Sequence, residues 1–195
     1  MPELVTERLR LRPLVAGDAK RVFAPLSDMR LYEFLEGLPP ANVAELEARF
    51  RRWETRRSPD GRETWLNWIA ERARDGLPVG WFQATVFPCP IGHPGPIAEI
   101  AYVVFVDHQR RGFGCEGGKA VLRHLFANLD CRTVTVRTDA RNEASLRLAE
   151  RLGFARGTRA GDAALQIGQA RDEILELTRA AFRASRRVGD GSSSA

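Results

Sequence analysis

The stretch that most restricts the fold of this chain is a polar, glycine-rich segment between an apolar run and a helical pattern. Residues 97–106 are rich in β-branched and aromatic side chains, which predicts a buried strand. Residues 108–118, HQRRGFGCEGG, follow it. Apolar and small residues then recur at the three- to four-residue spacing of one helical face, at Gly114, Gly118, Val121, Leu122 and Leu125. The chain therefore passes from a strand through a basic turn directly into a helix.

A turn of this kind is suited to binding phosphate groups. The first N–H groups of a helix have no partner inside the helix, and the helix dipole places partial positive charge at that end. Glycine lets the backbone come close to a ligand, and Arg110 and Arg111 add two full charges. The sequence therefore predicts a phosphate or pyrophosphate site at this turn.

Two ligand-binding motifs, and a turn without any ligand, are alternative explanations of the segment. Gly112-x-Gly114-x-x-Gly117 matches the dinucleotide-binding fingerprint, and Asp139, at the end of a later strand, is a candidate for the ribose-binding acid. In that fold, however, the strand is apolar almost up to the first glycine, whereas the residues before Gly112 are polar here. Residues 109–114 match the acyl-coenzyme A turn, Gln/Arg-x-x-Gly-x-Gly/Ala, at every fixed position. The acyl-coenzyme A motif is therefore the preferred hypothesis.

The rest of the chain predicts a single mixed α/β (α+β) domain. Strands are predicted at residues 8–12, 64–70, 79–87 and 132–138, and two more within residues 155–180. Helix starts are predicted at Gly17-Asp18, at Asn42 and at Asn142, and Gly153 is placed for a helix end. The predicted order is β-α-α-β-β-β-α-β-α-β-β. We expect one domain over residues 1–184 and a disordered tail over residues 185–195, whose last part is rich in glycine and serine.

Composition argues against several classes of protein. The net charge is +5, but the basic residues are nearly all arginines spread along the chain, so a bias towards arginine codons explains them better than nucleic-acid binding. The 3 cysteines and 3 histidines form neither a C-x-x-C motif nor a ligand cluster, which predicts no disulfide framework and no metal. The chain has no signal-peptide pattern and no run near the ~20 apolar residues that cross a bilayer. We therefore expect a cytoplasmic protein that binds neither nucleic acid nor membrane.

Four segments carry a resemblance to a known family. They are ERLRLRPL at residues 7–14, EIAY at residues 99–102 before the coenzyme turn, N-x-x-S at residues 142–145, and ERLGF at residues 150–154. Together, over about residues 4–182, they resemble the GNAT superfamily of N-acetyltransferases, and most closely its ribosomal-protein-alanine (RimJ/RimL-like) branch. The resemblance implies the GNAT fold, a mixed and mostly antiparallel central sheet with flanking helices and with its fourth and fifth strands splayed apart.

The resemblance also implies the ligands and the residues that bind them. The co-substrate would be acetyl-CoA, and the acceptor a primary amine on a protein N-terminus or a small molecule; a homodimer is left open. The pantetheine arm would lie between the splayed strands and the pyrophosphate on the turn. The implied cofactor-binding residues are Val104, Phe105, Val106, Gln109, Arg110, Arg111, Gly112, Phe113, Gly114, Cys115, Glu116, Gly117 and Asn142. Asn142 has a second explanation as a plain helix cap.

Amine acetylation needs a base, because an ammonium group has no lone pair with which to attack a thioester. Glu99 is the candidate, since it lies in an apolar strand that would raise the pKa of a carboxyl; a surface glutamate at a strand start is the alternative. A backbone N–H near Val104 is the candidate for stabilising the oxyanion.

The sequence departs from the family at one catalytic position. Many GNAT enzymes have a tyrosine, the acid for the departing thiolate, seven positions after the asparagine, and here that position is Ala149. Either Ser145 acts instead, or the thiolate leaves unaided and Ser145 only completes the helix cap. A dinucleotide-dependent oxidoreductase and a non-catalytic coenzyme sensor remain as other function classes.

Overall fold

The structure is a computed structural model that describes residues 1–35, 37–89, 94–156 and 172–190, with only the backbone for residues 186–190. The strands are β1 (Leu4–Val5), β2 (Leu9–Pro13), β3 (Thr64–Arg72), β4 (Pro78–Phe87), β5 (Ile97–Val104), β6 (Thr133–Asp139), β7 (Ala155–Arg156) and β8 (Asp172–Thr178). The α-helices are α1 (Ala19–Leu26), α2 (Val43–Glu54), α3 (Phe113–Asn128), α4 (Glu143–Leu152) and α5 (Arg179–Asp190). Short 3-10 turns lie at Ala16–Asp18, Met29–Glu33 and Val106–His108.

The described strands form one sheet in the order β1-β2-β3-β4-β5-β6-β8-β7. Among the strand pairs of the described residues, β5 and β6 alone run parallel. This confirms the mixed, mostly antiparallel sheet that the resemblance implied. Because the chain opens with the two-residue strand β1, the fourth and fifth strands of the resemblance are β5 and β6. A doubly wound parallel sheet, which the dinucleotide hypothesis requires, is not the fold of the described residues.

The two faces of the sheet carry different helices. On one face, side chains of β2 to β6 and β8 form a core with α3 and α4, to which α3 contributes Val121, Leu122 and Leu125. On the other face, α1 and α2 pack over the first strands and enclose a second core around Phe50 and Ile69. The predicted inner face of α3 is confirmed, since its members are buried.

Glycines let α3 lie close against the sheet and against α4. A Cβ built on Gly117 would lie 2.3 Å from Cζ of the Phe82 ring, and one built on Gly118 would lie 2.8 Å from Cδ1 of Leu152. No real Cβ tolerates such distances, so an alanine at either position would require the Phe82 ring or the Leu152 side chain to move. The glycine-rich sequence of this helix therefore serves helix packing as well as the turn.

Most predicted helix ends are confirmed. The side-chain oxygen of Asn42 accepts from the N–H of Glu45 at the start of α2, and Gly153 ends α4 in the left-handed conformation, at φ 94°. The predicted start at Gly17-Asp18 is also confirmed, because Asp18 is the N-cap of α1, although its side chain makes no capping hydrogen bond to that helix and a 3-10 turn over Ala16–Asp18 precedes it. Asp18 is already helical and nearly buried, and its carboxylate accepts from the Arg12 guanidinium and from the N–H of Val15. This aspartate therefore joins the helix to β2, a role that depends on a partner in another element.

The C-terminal helix extends past the predicted domain boundary. Helix α5 runs to Asp190, so residues 185–190 are helical where a disordered tail was predicted. The helix is attached by Phe182, whose ring centre lies 4.9 Å from that of Phe126. Residues 191–195 lie outside the described part of the chain. In that part, no helix is long and apolar enough to cross a membrane.

Candidate active site

The central feature of the site is a gap between β5 and β6. The two strands pair from Ile97↔Thr133 to Ile100↔Val136, but β5 continues to Val104 and β6 to Asp139. No further pairing joins these described strands, so they separate after Ile100. The N–H of Phe105 points the other way and donates to the carbonyl of Val79, at 2.9 Å. Because successive residues of an antiparallel strand alternate in direction, the backbone groups of Val104 face the gap.

The end of β5 corrects one predicted contact. The strand was expected to continue through Val106, but it ends at Val104, and a 3-10 turn begins at Val106. Phe105 is 2% exposed, packs into the core beneath α1 and α2, and uses its N–H on Val79. Its side chain and its N–H both point away from the gap. Phe105 therefore does not fit the predicted role of a pantetheine contact.

The coenzyme turn leads directly from β5 to α3. The side-chain Nε2 of Gln109 donates to the carbonyl of Val104 at 3.1 Å, which ties the turn to the end of the strand. Arg110 and Gly112 have left-handed backbones, with φ of 57° and 83°. Gly112 is the N-cap of α3, at the end where N–H groups converge.

The helix geometry narrows the predicted set of phosphate-binding amides. The N–H of Glu116 already donates to the carbonyl of Gly112, at 3.0 Å. Helical pairing of N–H groups therefore starts at Glu116, and the amide of Gly117 also belongs inside the helix. The available donors of α3 are the amides of Phe113, Gly114 and Cys115. The predicted contributions of Glu116 and Gly117 to pyrophosphate binding are therefore not supported.

The Glu116 side chain has a different partner, the turn between β1 and β2. Its Oε1 accepts from the Thr6 hydroxyl at 2.6 Å and from the N–H of Arg8 at 2.8 Å, and its Oε2 accepts from Nε of Arg8 at 2.7 Å. Burial raises the pKa of the Glu116 carboxyl, but these hydrogen bonds outweigh burial and lower it. Arg8 also donates to the carbonyl of Arg111 at 3.1 Å. We call this set of bonds the N-terminal clamp; it fixes the start of α3 from outside.

Gly114 has a packing role in addition to its place in the turn. A Cβ there would lie 2.8 Å from Cδ2 of Leu148 and 3.5 Å from Cγ2 of Val104. Replacing Gly114 by valine would therefore disturb the contact of α3 with α4 and β5, and not only the approach of a ligand. Arginines at the turn are better positions for a binding test, since Arg110 and Arg111 are exposed.

Glu99 lies on the face of the sheet opposite α3 and α4. Its neighbours across the strands are Thr85 and Thr135, and its side chain is 30% exposed. Burial raises the pKa of the Glu99 carboxyl, and the positive charge of Arg137 opposes that rise. Nη2 of Arg137 is 3.5 Å from Oε2 of Glu99. Arg137 was missed in the sequence, although a charged side chain on the same face of a β-branched strand was a usable signal.

Glu99 shares its face of the sheet with aromatic side chains. Trp53 of α2 stacks on Trp81 of β4, with ring centres 4.9 Å apart, and Trp81 pairs with Val103 of β5. Between Val103 and Glu99 on this face, Ala101 is exposed. The carboxyl of Glu99 is therefore partly accessible to solvent from this face, while the coenzyme turn lies at the end of β5.

The start of α4 lies across the gap from β5. The side-chain oxygen of Asn142 accepts from the N–H of Ser145 at 3.0 Å, so its predicted capping role is confirmed. Ala149 is fully buried. The Tyr102 hydroxyl lies 3.5 Å from the carbonyl oxygen of Ser145. No local pattern in the sequence distinguishes Tyr102 from the other residues of the EIAY segment.

Comparison with known proteins agrees with this geometry. Residues 8–155 match the family described as acetyltransferase (GNAT) domain. The chain therefore belongs to the GNAT acetyltransferase family. The uncharacterized protein YkkB of Bacillus subtilis is 29% identical over 155 residues, which are 78% of this chain and 84% of that protein.

Solved structures show the same fold at lower identity. A GNAT-family acetyltransferase from Bacillus anthracis superposes with a TM-score of 0.68 at 16% identity, covering 92% of this chain and 99% of that one. Spermidine N-acetyltransferase from Vibrio cholerae, in complex with CoA and spermine, gives a TM-score of 0.68 at 18% identity, covering 91% and 99%. The protein is thus an acetyltransferase that uses acetyl-CoA, and the dinucleotide-dependent oxidoreductase hypothesis is wrong.

Proposed function

We propose that this protein transfers the acetyl group of acetyl-CoA directly to a primary amine, on a protein N-terminus or a small molecule, with Glu99 as the base. The observation that carries the proposal is the position of Glu99: a half-buried carboxyl on the open face of β5, the same strand whose far end faces the gap. The RimJ/RimL-like branch is part of this proposal, and it is supported by the segments at residues 7–14, 99–102, 142–145 and 150–154.

Coenzyme binding would use the turn and the gap together. The pyrophosphate would meet the amides of Phe113, Gly114 and Cys115, with the charges of Arg110 and Arg111 beside it. The pantetheine arm would take hydrogen bonds from the backbone of Val104. Gln109 would position the turn rather than bind the ligand, because its amide group already donates to the Val104 carbonyl. Val106 and Asn142 would form the remaining walls of the coenzyme site.

The chemical step would run across β5. Glu99, directly or through a water, takes a proton from the acceptor ammonium, and the neutral amine attacks the thioester carbonyl. A backbone N–H of β5 that faces the gap, near Val104, would donate to the oxyanion that forms. Burial raises the pKa of Glu99, and the positive charge of Arg137 limits that rise. Turnover should therefore increase as pH rises through that raised pKa.

The test is turnover with a panel of amines. Release of free thiol from acetyl-CoA would be followed on addition of peptides with an N-terminal alanine, polyamines and aminoglycosides, and the product identified by mass spectrometry. At least one amine should accelerate thiol release and gain one acetyl group. In parallel, acetyl-CoA should raise the melting temperature, whereas NAD and NADP should not. If no amine raises thiol release above the rate in buffer, the proposal is wrong.

A further inference from the structure

We propose that Tyr102 is the acid that protonates the departing CoA thiolate, a role for which Ala149 has no suitable group. This inference rests on the proposed function, because it assigns a residue to the last step of the same reaction. The tyrosine would act from strand β5, across the gap from helix α4.

The position of Tyr102 relative to the gap is the first support. The last pair between β5 and β6 is Ile100↔Val136, and Tyr102 lies two positions beyond it. Its side chain points to the face of the sheet that carries α3 and α4, where it packs on the main core. Its hydroxyl lies 3.5 Å from the Ser145 carbonyl oxygen, in the first turn of α4. The phenol therefore extends across the gap from β5 to α4.

The shape of the gap places the sulfur near this hydroxyl. The coenzyme turn follows the end of β5, so a pantetheine arm enters beside Val104 and runs backwards along the strand. The gap closes where Ile100 pairs with Val136. The thioester must therefore lie before Ile100 is reached. This position is next to Tyr102. Between Ile100 and Val104, Tyr102 is the one β5 residue whose side chain carries an acidic proton.

The surroundings of Tyr102 suit a proton donor. Burial raises the pKa of its hydroxyl, so the phenol is protonated throughout the neutral range. Its hydrogen bond to the Ser145 carbonyl is at the outer limit of length, so the proton can turn to a stronger acceptor at little cost. Ala149 is a buried member of the core against which Tyr102 packs, so the two side chains belong to the same packed region.

Protonation of the sulfur by Tyr102 would accompany cleavage of the thioester bond. The tetrahedral intermediate collapses, the carbon–sulfur bond breaks, and its electron pair goes to sulfur. The Tyr102 O–H bond breaks at the same time, and its proton forms the S–H bond of free CoA. The nitrogen of the new amide gives up its extra proton to water, and the phenolate left behind takes a proton from water when CoA leaves, so that the amide, the thiol and the phenol are all neutral. No oxidant or further reactant is needed.

The decisive variant is Tyr102→Phe, and the chain offers a matched control. It contains 2 tyrosines, and the other, Tyr32, donates to the Leu26 carbonyl at 2.8 Å in the core beneath α1 and α2. Tyr102→Phe should lower kcat by about 10²-fold or more, with KM for acetyl-CoA and the melting temperature unchanged. Tyr32→Phe should leave kcat unchanged. Parent-like kcat in Tyr102→Phe would overturn the assignment.

A second measurement needs no acceptor amine and separates this inference from the proposed function. The thiol of bound CoA is titrated by the ultraviolet absorbance of the thiolate, with desulfo-CoA as the blank. A hydrogen bond from Tyr102 stabilises the thiolate, so the thiol should titrate at lower pH in the parent and in Tyr32→Phe than in Tyr102→Phe. Equal titration in all three proteins would show that Tyr102 does not contact the sulfur and would overturn the inference. If the parent turns over no amine, the proposed function fails, and this titration still decides the contact.

Discussion

The two halves of strand β5 have opposite roles although they are continuous. From Ile97 to Ile100 the strand is bonded to β4 on one edge and to β6 on the other, and the side chains of Ile97, Ala98 and Ile100 are at most 5% exposed. From Ala101 to Val104 it keeps β4 and loses β6. One half is ordinary sheet interior, and the other presents an edge that a ligand can use.

The comparison shows how a protein exposes backbone hydrogen-bonding groups without creating an open sheet edge. An unpaired edge invites aggregation or strand addition. Here the Val104 carbonyl accepts from the side chain of Gln109, and the space beyond is bounded by α4. The turn that carries Gln109 therefore takes the place of a neighbouring strand at Val104, and we propose that the coenzyme, rather than another chain, occupies the gap.

The largest expected effect is on the chemistry beside this strand. Glu99→Gln should lower turnover by roughly 10²–10⁴-fold, because the amide cannot accept the proton of the ammonium. The affinity for acetyl-CoA should change little, since Glu99 lies on the opposite face from α3. The acid limb of the pH–rate profile, set by the raised pKa of Glu99, should also disappear. A variant that kept both its rate and the acid limb would remove Glu99 from the mechanism.

The difference between the halves of β5 should also appear in the free energy of unfolding of variants in each half. Ile100→Ala should lower the free energy of unfolding by about 2–5 kcal/mol, because it leaves a cavity in the main core. Its neighbour in the unpaired half, Ala101, is exposed, and Ala101→Ser should change stability by at most about 0.5 kcal/mol. Urea denaturation of both variants provides the comparison. Similar losses would mean that the second half is as tightly packed as the first.

The coenzyme end of the strand should respond to charge. Arg110→Ala or Arg111→Ala should weaken acetyl-CoA binding by about tenfold to a hundredfold, the worth of hydrogen bonds to a charged group. Added salt should weaken binding by the parent more than by either variant. The control is Arg52→Ala on the exposed side of α2. Titration calorimetry at two salt concentrations measures both effects. If the parent and the two turn variants bind acetyl-CoA with equal affinity, the pyrophosphate does not bind at this turn.

The smallest expected effect is at the start of α4. Asn142 caps this helix through the backbone N–H of Ser145, which an alanine retains. Ser145→Ala should therefore cost less stability than Asn142→Ala, which loses the cap at about 1 kcal/mol. With Tyr102 as the acid, Ser145→Ala should keep its turnover. Slow transfer at an unchanged melting temperature would instead assign the acid role to Ser145.

Local patterns in the sequence were enough to predict most of the elements and the turn, but not the short strand β1 or the helix α5. The apolar run, the glycines at helical spacing and the caps at Asn42 and Asn142 are short-range signals, and each fixes structure within a few residues. The error at Phe105 has a simple cause. Phe105 was assigned to the gap because the strand was extended too far, and alternation along the true strand turns it to the other core.

The remaining site contacts depend on residues that are distant in sequence. Glu116 belongs to the N-terminal clamp, and Arg137 lies beside Glu99 because β6 pairs with β5 in one register. Tyr102 is a candidate only because its hydroxyl lies close to the Ser145 carbonyl of α4, on the other side of the gap. No spacing rule relates such residues, because the pairing of strands decides which side chains meet.

The N-terminal clamp has a consequence for the order of events during synthesis. Arg8 and Glu116 are 108 positions apart, so the first strands leave the ribosome long before the helix that they fix. Loop closure over such a distance has to wait for the intervening sheet. The protein should therefore become able to bind the coenzyme late and abruptly during synthesis. This happens when the beginning of the chain contacts α3, which is made after the midpoint of the chain. A nascent chain stopped before α3 would carry much of the sheet but no affinity for acetyl-CoA.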